Sequence, residues 1–103
     1  MQQMRYKEVA EMREETDLRI IDVREPDEYE AGHVEGVELF PLSKIRKGER
    51  PEKDDRKTAI ICRSGGRSQR AAQILESEGW EELINISDGT NGAIEAGEEH
   101  VVR

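Results

Sequence analysis

The sequence predicts an α/β protein built on a small, open, mostly parallel sheet of four to five strands flanked by helices. Three short apolar runs, Leu18–Val23, Thr58–Ile61 and Leu83–Ile86, have the length and the β-branched residues of strands. The continuous run Thr58–Ile61 is typical of a strand that is buried on both faces. Apolar residues recur at helical spacing between the three runs. Because 103 residues suffice for one modest core, we expect residues 1–103 to form one domain.

The first half of the chain is predicted to alternate helices and strands. Met1–Met4 is either a loose start or an edge-pairing segment, and Tyr6–Glu14 has the spacing of a short helix. Glu25–Glu30 is predicted to be a helix after the first strand, because a proline and acidic residues suit a helix N-terminus. Val37–Phe40 is the second predicted strand. Ser43 is expected to cap the short helical turn that follows it.

The second half contains one long helix and several loops. Lys47–Lys57 has charges of both signs and no apolar residue except a proline, which indicates a solvated loop. The helix after the Thr58–Ile61 strand is expected to stop at Gly79. Further on, the sequence predicts a turn-rich loop at Ser87–Gly92, a short helix at Ala93–Ala96 and an exposed extension at Glu98–Arg103.

The only cysteine stands where an apolar strand ends and a helix is about to begin. Two adjacent glycines follow it and let the backbone curl tightly. Successive backbone N–H groups at a helix start form a nest for negative charge, and two guanidinium groups add positive charge. These groups favour thiolate over thiol, so the cysteine is predicted to be a nucleophile near neutral pH. The candidate site consists of the catalytic residue Cys62 and six residues that bind the substrate anion: Arg63, Ser64, Gly65, Gly66, Arg67 and Ser68. The alternative, a purely structural cysteine at a strand end, leaves Arg-Ser-Gly-Gly-Arg unexplained.

Two segments, IIDVREPDEYEAGHVEG and CRSGGRS, occur in this order along the chain. They resemble the motifs of the rhodanese family of sulfurtransferases in its single-domain form, and the resemblance covers the chain from about Met4 to Val102. It implies the same fold. It also implies that Cys62 accepts a sulfane sulfur from a small anionic donor such as thiosulfate and holds it as a persulfide. The sulfur then passes to a thiophilic acceptor such as cyanide or a thiol, and no metal or organic cofactor is needed.

The resemblance also assigns residues outside the cysteine loop. Asp22 and Arg24 stand at the end of the first strand and match an Asp-x-Arg pair that ties this region together near the active loop. Ligands bind at the carboxyl edge of parallel sheets, where both residues would lie. The alternative is a salt bridge that only orients loops. His33 is expected to bond a backbone carbonyl rather than to act as a general base for Cys62.

The C-terminal segment departs from the pattern of the family. Asp88 stands where relatives usually have a glycine, and Ala93 or Ile94 replaces a tryptophan that packs beside the active loop. Loss of a buried indole predicts a more open or more mobile pocket wall. Asp88 is expected to bring a negative charge near the mouth of the site, which would disfavour thiosulfate. His100 has no visible partner and receives no role.

Two other functions compete with sulfur transfer. Cysteine phosphatases and arsenate reductases also have a loop from a cysteine to an arginine before a helix, but five residues separate the two. Only four residues separate Cys62 from Arg67 here, and this spacing favours a cradle for a single sulfur over one for a tetrahedral oxyanion. The second alternative is a non-catalytic module that binds a partner or senses oxidants through its thiol.

Composition narrows the range of partners. The net charge of −8 argues against nucleic acid and anionic membranes as partners. A single cysteine excludes an internal disulfide and a cysteine-rich zinc site. No apolar run approaches membrane length, and the N-terminus lacks a signal-peptide core. We therefore expect a cytoplasmic protein, in which a reactive thiol stays reduced.

Overall fold

The computed structural model describes all 103 residues and contains seven strands, five α-helices and one short 3₁₀ helix, Glu98–His100. The strands are β1 Gln2–Met4, β2 Arg19–Asp22, β3 His33–Val34, β4 Glu38–Leu39, β5 Thr58–Ile61, β6 Ile84–Ile86 and β7 Val101–Val102. The helices are α1 Tyr6–Glu15, α2 Pro26–Ala31, α3 Leu42–Arg46, α4 Gly66–Ser77 and α5 Gly89–Ala96. None of the helices has both the length and the apolar character needed to cross a membrane.

Five of the strands form one sheet in the order β1-β6-β5-β2-β4, and every pair in it is parallel. The predicted fold class is therefore confirmed, with five strands. Met1–Met4 takes the edge-pairing alternative, because Gln2–Met4 pairs with β6. The central strands β5 and β2 are buried along their whole length. The continuous apolar sequence of β5 predicts this burial, whereas β2 also buries the charged residues Arg19 and Asp22.

Helices cover both faces of the sheet and bury two apolar clusters. Neighbouring residues of a strand alternate between them: in β5, Ile61 contributes to the cluster under α1 and α5, whereas Ile60 and the adjoining Cys62 contribute to the cluster under α3 and α4. The two clusters contain 12 and 10 buried residues. Trp80, just after α4, packs against the second cluster.

Three segments differ from the sequence-based predictions. The predicted loop Ser87–Gly92 is helical from Gly89 onward, so α5 is longer than the predicted Ala93–Ala96. The tail is not a free extension, because Val101–Val102 pairs antiparallel with His33–Val34. Ser43 does not cap α3: it lies inside the helix, and its hydroxyl donates to Oε1 of Glu25 at 2.9 Å.

Candidate active site

The cysteine loop lies at the carboxyl edge of the sheet, between β5 and α4. Cys62 follows the last residue of β5 directly. Gly65 precedes α4 with φ +100°, a left-handed conformation that strains any residue with a side chain. A Cβ on Gly65 would also collide with the carbonyl oxygen of Ser87. The sequence therefore has glycine where the loop turns towards the helix and touches a neighbouring segment.

The loop directs hydrogen-bond donors at the sulfur of Cys62. The N–H of Gly65 donates to Sγ at 3.1 Å, and the Oγ of Ser68 lies 3.4 Å from it. Burial raises the pKa of the Cys62 thiol. The Ser68 hydroxyl and the backbone N–H groups of Ser68, Gly65 and Ser64 lower it by more, so the pKa falls below its usual value. Cys62 is 1% exposed, so its sulfur lies at the floor of the loop.

The start of α5 holds the backbone of the cysteine loop from the other side. The N–H and the hydroxyl of Thr90 both donate to the carbonyl of Cys62, at 2.8 and 2.9 Å, and the N–H of Asn91 donates to the carbonyl of Arg63 at 3.1 Å. Gly89 approaches the loop so closely that a Cβ would lie 2.6 Å from the Cys62 carbonyl oxygen. These bonds use N–H groups that the first turn of a helix leaves without partners.

Arg67 lies beside the loop but is bound to a carboxylate. Its Nη1 and Nη2 donate to the two oxygens of Glu28 on α2, at 2.6 and 2.9 Å. This ion pair lowers the pKa of Glu28 to about 2, with the Arg67 hydrogen bonds as the main cause, and raises that of Arg67. Arg67 therefore reaches a substrate only as part of this pair, whereas Arg63 is exposed and its guanidinium has no partner in the chain.

Asp22 and Arg24 form a buried pair, as expected. Nε and Nη2 of Arg24 bond the Asp22 carboxylate at 2.9 to 3.1 Å, and Nη2 also donates to the carbonyl of Gly32 at 2.8 Å. Nη1 of Arg24 has no partner within the chain. His33 bonds the carbonyl of Tyr29 through Nδ1 at 2.9 Å, which confirms the expected structural bond.

A cavity of about 360 Å³ adjoins the cysteine loop. Arg24, Arg63 and Arg103 line it together with Glu28. Arg24 is paired with Asp22 and Arg103 with Glu98, so Arg63 is the lining arginine without a carboxylate partner. Ile94, which is 40% exposed, forms part of its wall. A cavity that adjoins the cysteine loop and has a free arginine in its wall suits a small anion.

The C-terminal segment contradicts two expectations. Asp88 does not face the cysteine loop: its carboxylate accepts a hydrogen bond from the N–H of Tyr6 at 2.7 Å and lines a different cavity, against α1. His100 does have a partner, since its Nδ1 lies 2.9 Å from the hydroxyl of Tyr6 and the two rings meet edge to face. Ala93 faces the core, so Ile94 takes the place at the cavity wall.

The structure brings the whole predicted segment from Cys62 to Ser68 together, with Asp22 and Arg24 on the same edge of the sheet. Sequence reasoning missed three contributors: Glu28, Thr90 and Asn85. Asn85 is a fully buried amide that bonds Ser68 at 2.5 Å. Its signal was visible, because it is the one polar residue in the apolar strand LINI. No three His, Cys, Asp or Glu side chains converge closely enough to hold a metal ion.

The parallel sheet and the loop define a class: an α/β protein with a buried cysteine at the start of a helix. The family model "Rhodanese-like domain" matches residues 5–96, and the chain belongs to this family. The putative sulfur carrier protein YrkF of Bacillus subtilis is 39% identical over 72 residues, which are 70% of this chain. The chain spans only 39% of the length of that relative.

Two further relatives match over most of their length. The thiosulfate sulfurtransferase GlpE of Pseudoalteromonas translucida is 30% identical over 82 residues, which are 80% of this chain and 78% of that protein. The crystal structure of a rhodanese-related protein from Thermoplasma volcanium superposes with a TM-score of 0.85 at 27% identity. The match covers 99% of this chain and 98% of the other. The sheet described above is therefore the rhodanese-like fold.

Proposed function

We propose that this protein is a sulfurtransferase in which Cys62 carries a sulfane sulfur from an anionic donor such as thiosulfate to a thiophilic acceptor. The observation that carries the proposal is the set of backbone N–H groups that act on the Cys62 sulfur: Gly65 N–H donates to it at 3.1 Å, and the N–H groups of Ser64 and Ser68 also lower its pKa. Such donors stabilise a sulfur anion without a counter-ion. Membership of the rhodanese-like family supports the same reaction class, as does similarity to a protein named as a thiosulfate sulfurtransferase.

In the first half-reaction the Cys62 thiolate attacks the outer sulfur of thiosulfate. A new S–S bond forms on Cys62, the S–S bond of thiosulfate breaks, and sulfite leaves with the electron pair of the broken bond. Charge balances, because one thiolate and a dianion become one persulfide anion and a dianion. The terminal sulfur of the persulfide keeps the negative charge, and the loop N–H groups are the donors available to it.

In the second half-reaction an acceptor removes the outer sulfur. Cyanide attacks it, the persulfide S–S bond breaks, and thiocyanate leaves while Cys62 returns to a thiolate. A thiolate acceptor reacts in the same way and leaves as a persulfide. Because the first product departs before the acceptor binds, the kinetics are ping-pong. The chain's own residues suffice for both steps, so no metal or organic cofactor takes part.

The anionic end of the donor fits the cavity beside the loop. Arg63 is free to contact it, and the unpartnered Nη1 of Arg24 belongs to a residue that lines the same cavity. The Arg67 guanidinium, held by Glu28, contributes its charge from the edge of the loop. The unpaired charge of Arg63 acts locally against the long-range repulsion between an acidic protein and an anion.

We further propose that residues 1–103 act as one domain in the cytoplasm, with a small donor and a small or protein-borne thiol as partners. A reducing compartment keeps the unbound Cys62 as a thiol or thiolate. The partners include neither nucleic acid nor a membrane, because the net charge of −8 repels both.

Steady-state kinetics test the proposal. Thiocyanate formation is measured while thiosulfate and cyanide are varied together, with Cys62→Ser as the inactive control and hydrolysis of an aryl phosphate as a second assay. We expect parallel double-reciprocal lines for the unmodified chain and no transfer by Cys62→Ser. Transfer by that variant, or phosphate hydrolysis without sulfur transfer, would overturn the assignment.

A further inference from the structure

Asn85 connects the cysteine loop to the neighbouring strand β6. It is 1% exposed and lies between two buried isoleucines of that strand. Its Nδ2 donates to the carbonyl of Gly65 at 3.2 Å and to Oε1 of Gln3 at 2.8 Å. Its Oδ1 accepts a hydrogen bond from the hydroxyl of Ser68 at 2.5 Å. The Oγ of Ser68 in turn lies 3.4 Å from the Cys62 sulfur.

The chemistry of these groups fixes the orientation of the Asn85 amide. A backbone carbonyl only accepts hydrogen bonds, so the side of the amide that faces the Gly65 carbonyl must be the NH₂ group. The amide oxygen then faces Ser68. Because an amide oxygen has no proton to give, the Ser68 hydroxyl must be the donor in that contact.

A hydroxyl has one proton, and in Ser68 three acceptors compete for it. They are the Asn85 amide oxygen, the Gly65 carbonyl at 3.1 Å and the Cys62 sulfur. The shortest contact is the one to Asn85. While the proton points to Asn85, the Ser68 oxygen presents only lone pairs to the sulfur, and such an oxygen accepts from a thiol S–H but does not stabilise a thiolate.

We propose that Asn85 is a positioning residue that restrains the ionisation of Cys62 by holding the Ser68 hydroxyl proton away from the sulfur. The Cys62 thiolate receives the hydrogen bond of Ser68 only when the hydroxyl proton turns from Asn85 to the sulfur. A persulfide places its charge on the outer sulfur, so the inner sulfur no longer needs this donor. Asn85 thereby favours the resting thiol and the loaded persulfide over the free thiolate.

The charged groups near Cys62 lie on other elements and do not contact Asn85. Arg67 on α4 acts on the sulfur through its charge and is bound to Glu28 on α2. Asp22 on β2 is paired with Arg24, and Arg63 is exposed in the loop. Replacing the Asn85 side chain leaves all five groups and their partners in place. It also removes the hydrogen bond to the Gly65 carbonyl, so the Ser68→Ala background is needed to assign a change in the Cys62 pKa to the Ser68 proton.

The test measures the pKa of Cys62 from the ultraviolet absorbance of the thiolate as the pH is raised. Cys62 is the only cysteine, so the signal belongs to one group. Leucine has nearly the same shape as asparagine but no hydrogen-bonding group. In Asn85→Leu we expect the pKa of Cys62 to fall by about one unit, which raises the thiolate fraction about tenfold at a pH below the pKa. Asn85→Val, which suits a strand, is the second variant if the first does not fold. A pKa that is unchanged or higher in a folded variant refutes the proposal.

Ser68→Ala and the double variant separate this mechanism from a general structural effect. Without the hydroxyl the pKa is expected to rise, and Asn85→Leu is then expected to have no further effect. If Asn85→Leu lowers the pKa equally in both backgrounds, the amide does not act through Ser68 and the proposal fails. Thr58→Val is the matched control. Thr58 is another buried polar residue, but it lies at the end of β5 that is far from Cys62, so this variant should leave the pKa of Cys62 unchanged.

The role of Asn85 in restraining the Cys62 nucleophile rests on the proposed function. The pKa measurement that tests it does not. Thiolate absorbance is read without donor or acceptor, so it reports on the Asn85–Ser68 contact whether or not the protein transfers sulfur. Loss of sulfur transfer with the expected pKa pattern contradicts only the proposed function. An absent pKa pattern in an active protein contradicts only the role of Asn85.

Discussion

The ion pair between Glu28 and Arg67 makes part of the stability of this protein depend on pH, and Glu28→Gln removes that part. Gln keeps the shape of the side chain and one acceptor oxygen but loses the charge of the bidentate pair. The pKa of Glu28 is lowered to about 2 in the folded chain, so the pair contributes stability above the unfolded pKa, about 4.3. That contribution is lost as the pH falls towards 2.

The magnitude follows from the size of the pKa shift. A shift of this size corresponds to about 3 kcal/mol at neutral pH. The side chains of Glu28 and Arg67 are 21% and 37% exposed, and solvent screening reduces the expected loss to about 1–2 kcal/mol. The difference between the two proteins should fall to about half its neutral value near pH 3.

Urea unfolding followed by the fluorescence of Trp80, the only tryptophan, measures this difference. At pH 7 the midpoint of Glu28→Gln should lie about 1 M lower, given the urea dependence typical of small proteins. Glu78→Gln is the matched control, because Glu78 also forms a bidentate pair with an arginine, Arg50, but at the surface. Its midpoint should change much less. A Glu28→Gln difference that is the same at pH 7 and pH 3 contradicts the reasoning.

Two further predictions concern the loop itself. Gly65→Ala should destabilise the fold by about 2 kcal/mol or more, because it combines a φ of +100° with a collision against Ser87. Gly48 has the same φ but open space around it, so the difference between the unfolding midpoints of Gly65→Ala and Gly48→Ala measures the effect of the collision. Equal midpoints would contradict this prediction. Arg67→Ala should raise the KM for thiosulfate more than Asn91→Ala does, because only the arginine adds positive charge next to the sulfur. Equal effects on KM would show that the arginine does not act on the anion.

The sheet and the cysteine loop could be predicted because their signals are local. Thr58–Ile61 reads as a buried strand from its own composition, and the two glycines after Cys62 give the loop its turn. The partners of the loop could not be predicted, because they come from distant parts of the chain. Arg67 and Glu28 are 39 residues apart, and nothing near either residue in sequence indicates the other.

Tertiary contacts also overrode local sequence signals at the C-terminus. Gly89 to Gly92 has the composition of a turn, yet it starts a helix, because the N–H groups of Thr90 and Asn91 find acceptors on the cysteine loop. The charged sequence of Glu98–Arg103 predicts an exposed extension, yet Val101 pairs with Val34 in a second small sheet. His100 and Tyr6 meet although 94 residues separate them.

In the proposed reaction, Cys62 holds a single sulfur as a persulfide that the backbone N–H groups of its loop stabilise. Intact-mass analysis of the protein after incubation with thiosulfate tests it most directly. We expect a gain of one sulfur atom that cyanide removes and that Cys62→Ser does not acquire. An unchanged mass, or a gain that persists in Cys62→Ser, would contradict it.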